Sequence, residues 1–289
     1  MLDQAQRLRE LANQGRKKES TKENKPKIIT VTSGKGGVGK SNFVVNLGIE
    51  LQKQGKRVLI FDADIGMAND DLLMGYSPKY NIYDIILLDK EIEEVIIEGP
   101  YGVKLLSGGT GINKIKELTS IQRNRFLEKL GNLENLDFIL MDTGAGVNRT
   151  VLGFIACCDE LVVIMTPEPT SLMDAYSLVK AVNHFKIKDS LNIIVNRILD
   201  DKEGEMTYNK FKQAVEKFLQ MKVKLLGYVS EDKRLVEAVR NQKPFVLGSP
   251  NCSAAKDIAK ISRKLMNSDL KNNDLGTKNL FKKIFNIFS

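Results

Sequence analysis

The chain is poor in the side chains that carry metal and imidazole chemistry. Its 289 residues contain one histidine and three cysteines. His184 falls late in a helical stretch without partners for a metal or a catalytic triad, so imidazole catalysis is not expected. Cys157 and Cys158 are adjacent in an apolar segment and Cys252 stands alone. No C-x-x-C ligand spacing exists, and all three read as small packed residues. No run approaches the roughly 18 apolar residues that a membrane-spanning helix needs, and the first residues, MLDQAQRLRELANQ, are too polar for a secretory leader. A cytoplasmic protein is expected. There is no internal repeat and no long low-complexity tract.

Basic charge is also missing from most of the chain, although the total is +8. Residues 1–27 carry eight basic and four acidic side chains, and residues 278–289 carry three lysines and no acid, so the 250 residues between them hold only +1. A broadly basic surface for DNA is therefore not indicated, and DNA is an unlikely partner.

What is present begins at Gly34. Residues 34–41 read GKGGVGKS (Gly34, Lys35, Gly36, Gly37, Val38, Gly39, Lys40, Ser41). The glycines let backbone N–H groups close around a polyphosphate, Lys40 supplies charge to its outer phosphates, and the Ser41 hydroxyl suits Mg²⁺. The apolar run from Ile28 precedes the loop as a buried strand. Residues 41–54 follow with helical periodicity, so a helix N-terminus faces the phosphates.

Further apolar runs, Val58–Asp62, Val103–Ser107, Phe138–Asp142, Leu161–Thr166, Ile193–Asn196 and Leu225–Val229, alternate with helical stretches. They predict an α/β fold, a mostly parallel central sheet with helices on both faces and a P-loop NTPase architecture. In such sheets ligands bind at the carboxyl ends of the strands. Polar residues gather there: Asp62 and Asp64 after the second strand, Asp142-Thr143-Gly144 after the fourth, Thr166-Pro167-Glu168-Pro169 after the fifth, Asn196-Arg197 after the sixth. Asp142 is placed to help hold Mg²⁺ through water.

The second lysine of the loop, Lys35, gives the pattern KGGxGK[ST]. It resembles the deviant phosphate loop of the MinD/ParA class of ATPases. That resemblance implies an ATP-dependent homodimer with two nucleotides between the subunits, Lys35 reaching the partner's nucleotide. FDADIGMAND resembles that class's first switch, with Asp64 orienting the attacking water and Asp62 near Mg²⁺. DTGAG resembles its second switch. Asn196 resembles the adenine-contacting asparagine, and YVSEDKR around Asp232 resembles the loop that covers the base. Asn196-Arg197-Ile198-Leu199 is not the NKxD of guanine-specific proteins, which favours ATP. Two positions depart from the pattern: Asn42, where threonine is common, and Asp70-Asp71, which makes the first switch more acidic than usual.

The ends narrow the reading. The division expected is a helix over 1–15, a charged linker over 16–27, an ATPase domain over 28–268, a polar spacer over 269–278 and a helix over 279–289. On a helical wheel Leu280, Phe281, Ile284, Phe285, Ile287 and Phe288 share an arc of roughly 160° with Lys282 and Lys283 opposite, suited to an anionic membrane surface, the alternative being a terminal helix folded onto the protein's own core. DQAQRLR resembles the DQAxxLR motif of the FlhG family of flagellar-number ATPases, in which this helix stimulates the flagellar signal-recognition-type GTPase FlhF. Carried over, Asp3, Gln4, Ala5, Leu8 and Arg9 would make the contact, and flagellar C-ring proteins are further partners. A MinD-like division regulator and a ParA-like partition ATPase are the alternatives. The first leaves DQAQRLR unexplained; the second needs the basic surface that the core lacks.

Overall fold

The structure, a computed structural model, describes residues 25–64, 69–108, 119–131, 133, 135–267 and 276–288. Its frame is one sheet of eight strands: β1 (Lys27–Ser33), β2 (Val58–Ala63), β3 (Ile97–Glu98), β4 (Lys104–Ser107), β5 (Phe138–Ala145), β6 (Glu160–Met165), β7 (Ser190–Ile198) and β8 (Lys222–Ser230). They lie in the order β3-β4-β2-β5-β1-β6-β7-β8. Neighbours are parallel throughout, except that β3 runs antiparallel to β4 at one edge. The seven parallel strands are those the apolar runs predicted. The two residues of β3 are too few to leave a periodic signal.

Parallel strands need crossovers, and these are α1 (Lys40–Lys53), α2 (Asp70–Met74), α3 (Asp84–Leu87), α4 (Ile92–Val95), α5 (Ser120–Gly131), α6 (Arg149–Cys157), α7 (Pro169–His184) and α8 (Asp201–Leu219). After β8 come α9 (Lys233–Arg240), α10 (Phe245–Gly248), α11 (Ser253–Asn267) and α12 (Thr277–Phe288). None of the described helices is long and apolar enough to cross a membrane.

Side-chain alternation along the central strands builds two cores. Ile28, Leu59, Phe61, Ile139 and Met141 face a layer that includes α5, α6, α7, α8 and α12. Ile29, Ile60 and Leu140 face the opposite layer, packed by α1, α10 and α11. Both faces being covered is why these strands read as continuous apolar runs instead of alternating ones. Cys157, Cys158 and Cys252 are buried, as expected of packed residues.

Caps fix where several helices start. Asn148 accepts from the N–H of Val151 at α6, and Asp200 accepts from that of Glu203 at α8, both at about one hydrogen-bond length (2.9 and 2.8 Å). The amphipathic run Gly204, Thr207, Phe211 and Val215 then turns one side of α8 inward.

The last helix does not match its expected bounds or orientation. It starts at Thr277, inside the stretch read as spacer, and Leu280, Phe281 and Ile284 are buried in the core. The Phe281 ring meets those of Phe61 and Phe126 edge-on, at 5.2 and 6.0 Å between centroids. Lys283, expected on the basic outer face, is 6 % exposed, while Lys282 is exposed. The wheel explains this: Lys283 lies about 60° from Leu280, so an inward arc centred near Leu280 and Ile284 includes it. The side chains of Phe285, Ile287 and Phe288 lie outside the described residues. So do residues 1–24, with the expected partner contacts at Asp3, Gln4, Ala5, Leu8 and Arg9.

Candidate nucleotide site

The loop from Ser33 to Lys40 joins the central strand β1 to α1, so the helix axis starts at the carboxyl end of the sheet. Its shape depends on two glycines. A Cβ at Gly34 would sit 2.1 Å from the backbone of Asp174, so the loop packs against α7 only because that residue has none. Gly39, the residue before α1, has φ 90° and a Cβ there would meet the Asn196 amide at 2.4 Å. The Ser33 hydroxyl donates to the Lys35 carbonyl at 2.9 Å.

Lys40 reaches back over the end of β5 to Asp142, Nζ to Oδ1 2.6 Å, with 8 % and 1 % of the two side chains exposed. The Ser41 hydroxyl is 3.5 Å from the same ammonium. Burial works against the charge on Lys40, but Asp142, Asp70 and Asp64 outweigh it and hold the lysine above its usual range. The structure thus brings Lys40, Ser41 and Asp142 together.

Strand register places a second carboxylate level with Asp142. Asp62 is its direct neighbour between β2 and β5. One Asp62 oxygen accepts from the N–H of Asp64 (3.1 Å), and the other accepts from those of Asn69 and Asp70 (3.0 and 3.2 Å). Asp62 therefore holds both ends of the first switch. Burial, reinforced by the charge of Asp142, pushes it up to about 7 even so. Asp64 is raised too, mainly by burial. A Cβ on Gly144 would come 3.2 Å from an Asp64 oxygen, so the two switches meet there.

Lys35 does not join this group. Its Nζ sits 2.6 Å from Glu168 Oε2 and 3.0 Å from Thr170 Oγ1, between β6 and α7. Glu168 is held below its usual range by that hydrogen bond and charge. The sequence marked Glu168 as a strand-end polar residue but gave no sign that it was a partner for Lys35. Thr170 was missed, because a threonine in a helix's first turn is an ordinary occupant.

The two residues read as base contacts have local partners. Asn196 is buried, and its amide donates to the Val38 carbonyl at 2.7 Å, bracing the loop. Asp232 caps α9 and grips the Arg234 guanidinium at 2.8 and 2.7 Å. Its carboxylate is committed to that capping pair in this conformation.

A hydrated Mg²⁺ fits the residues present. Among the described residues no three carboxylates, thiols or imidazoles converge to ligate a bare ion. Ser41 supplies a hydroxyl and Asp142 a carboxylate for the ion's waters. Buried Asp70 carries two oxygens without a donor. When bound, the ion would neutralise charge developing on the phosphates.

A glycine loop between a central parallel strand and a helix, with a buried lysine–aspartate pair at the next strand's end, defines a P-loop nucleoside-triphosphatase. Residues 24–266 match the ParA family, described as NUBPL iron-transfer P-loop NTPases, and the chain belongs to that family. It is 35% identical over 292 residues to the flagellum site-determining protein YlxH of Helicobacter pylori, an alignment spanning 98% of each chain. It is 31% identical over 239 residues to the antiactivator FleN of Pseudomonas aeruginosa, covering 82% of this chain and 85% of that one. Among solved structures, a chain of the MinC:MinD cell division protein complex of Aquifex aeolicus superposes with a TM-score of 0.66 at 27% identity, covering 86% of this chain and 100% of that one. MinD of Pyrococcus horikoshii in complex with Mg-ADP gives 0.66 at 25%, covering 84% and 96%.

Proposed function

We propose that this enzyme hydrolyses ATP, pairs with a second copy of itself when ATP is bound, and regulates the number or placement of flagella. The observation that carries the reading is the joint occurrence of the KGGVGKS loop and the DQAQRLR start in a chain that aligns end to end with a flagellum site-determining protein. In this reading Lys35 leaves Glu168 and reaches the nucleotide of the other subunit. Asp64 orients the attacking water, Lys40 and the loop amides hold the phosphates, and Ser41 and Asp142 support Mg²⁺. Positioning and charge supply most of what phosphoryl transfer needs, so the scarcity of imidazole is no handicap.

Residues 1–15 stimulate an FlhF-type GTPase through Asp3, Gln4, Ala5, Leu8 and Arg9, and C-ring proteins are further partners. Asn196 and Asp232 approach the adenine only after their present bonds to Val38 and Arg234 rearrange. The last helix attaches the dimer reversibly to an anionic membrane surface. Since Leu280, Phe281 and Ile284 are buried against the core, attachment requires α12 to leave its groove, at roughly 1.5–3 kcal/mol for each side chain uncovered. Two tethered helices on one dimer recover that cost through avidity.

The test of the flagellar assignment is GTP hydrolysis by FlhF with a peptide of residues 1–20 and with its Gln4→Ala form. Stimulation by the first and not the second is expected. No stimulation by either removes the flagellar partner and leaves division control as the next reading.

A further inference from the structure

The nucleotide end of the sheet holds one carboxylate without an assigned task. Asp70, the first residue of α2, is completely buried. Neither oxygen meets a hydrogen-bond donor among the described residues. The charged groups it faces are Asp142, Asp62 and Lys40, and the Asp142 side chain is within hydrogen-bonding reach. Its own N–H is spent on Asp62. Three buried carboxylates thus surround one ammonium, which is already paired to Asp142 at 2.6 Å.

Leaving a buried carboxylate without counter-charge costs several kcal/mol, more than a short helix such as α2 returns. An apolar residue would fill the position more cheaply. Two states relieve the cost: a neutral carboxyl, or a cation brought to the cluster. The cluster lies beside Ser41, where a nucleotide brings its hydrated divalent ion. Asp70 is also covalently part of the first switch, whose ends Asp62 holds. A cation drawn to Asp70 would therefore also act on Asp62, which accepts from the Asp70 N–H.

We propose that Asp70 is a positioning residue for the hydrated Mg²⁺ that accompanies the nucleotide, a third carboxylate beside Asp62 and Asp142 that makes nucleotide binding strongly conditional on the divalent ion. Without the ion, the cluster repels the phosphates through Asp70. With it, the excess negative charge is matched. The inference rests on the NTPase assignment and adds to it a residue that the sequence marked only as unusually acidic.

The experiment titrates a fluorescent ADP analogue onto the full-length protein, Asp70→Asn and Asp70→Leu, each in EDTA and in excess Mg²⁺. Wild type should bind far more tightly with Mg²⁺. In both variants the ratio of the two Kd values should shrink by about tenfold, within the usual range of coupling between two bound ligands, chiefly because binding in EDTA improves. Mn²⁺ titrated into the ADP complex and followed by electron paramagnetic resonance should bind more weakly in both variants. Thermal unfolding in EDTA should show Asp70→Leu more stable than wild type, since an apolar side chain replaces an uncompensated charge. An unchanged Kd ratio in variants that bind nucleotide, or a less stable Asp70→Leu, would overturn the proposal and leave Asp70 as a neutral buried carboxyl. A wild type indifferent to Mg²⁺ would instead bring down the nucleotide site itself.

Discussion

The two lysines of the GKGGVGKS loop are five residues apart, and each ends 2.6 Å from a carboxylate, yet their surroundings are opposite. Lys40 and Asp142 are almost fully buried. In Lys35 and Glu168 the side chains are 30 % and 55 % exposed. A buried pair cannot open without stranding a charge, so Lys40 stays where the fold puts it. An exposed pair exchanges for water at little cost, because solvent already screens it. Equal distances therefore mean different things: one bond is a fixed part of the site, and the other opens at little cost, as the proposed reach of Lys35 to a second subunit requires.

The largest effect expected from breaking this contrast is at Lys40. Lys40→Ala leaves Asp142 buried without its partner and should cost about 3–5 kcal/mol of stability, read by urea unfolding, together with loss of nucleotide binding. A mild stability effect would mean that the pair is more solvated than its burial indicates.

Next is the hydrophobic anchor of α12. Phe281→Ala removes a ring packed on Phe61 and Phe126 and should weaken docking by about 3–5 kcal/mol, the usual loss for a buried aromatic. Hydrogen exchange should rise in α5, α6 and α12 with the sheet unaffected. Exchange unchanged in those helices would contradict the packing.

Lys283 sharpens the comparison from another side, being a buried lysine whose surroundings include the Cys157 and Cys158 thiols, the Asp159 carboxylate and the Lys188 ammonium. Burial holds it below the usual lysine range. Lys283→Met should raise the melting temperature and, if membrane attachment needs release of α12, reduce sedimentation with anionic vesicles. A lower melting temperature would show that the charge is better accommodated than its burial implies.

The smallest effect on stability, and the most specific on function, is at the exposed pair. Glu168→Gln should leave the unfolding midpoint unchanged while increasing the fraction of dimer at a given ATP concentration, since Lys35 loses its resting partner. Decreased dimer would assign Glu168 a role in the paired state instead.

These contrasts were legible in the sequence to different depths. The loop, the strands feeding it and the carboxylates at strand ends could be read because each rests on local pattern: glycine spacing, an apolar run, an acid at its end. Whether an acid is free or committed is set by tertiary partners, which is why Lys35 could be singled out but not its hold on Glu168 and Thr170. Asn196 could be placed at a strand end, but its bond to Val38 joins segments 158 residues apart. The α12 apolar stripe was visible, whereas its occupant was not: amphipathicity says that a face will be covered, not whether lipid or Phe61 and Phe126 will cover it. Lys283 entered the core because the groove sets the helix rotation.

The most direct test of the account is ATP-dependent dimerisation of wild type and Lys35→Ala, followed by sedimentation velocity with a non-hydrolysable ATP analogue and with ADP. The account predicts dimers of wild type with the analogue only, and a variant that binds the analogue yet stays monomeric. A Lys35→Ala protein that dimerises as well as wild type would contradict it, because the mobile lysine would then have no partner to reach.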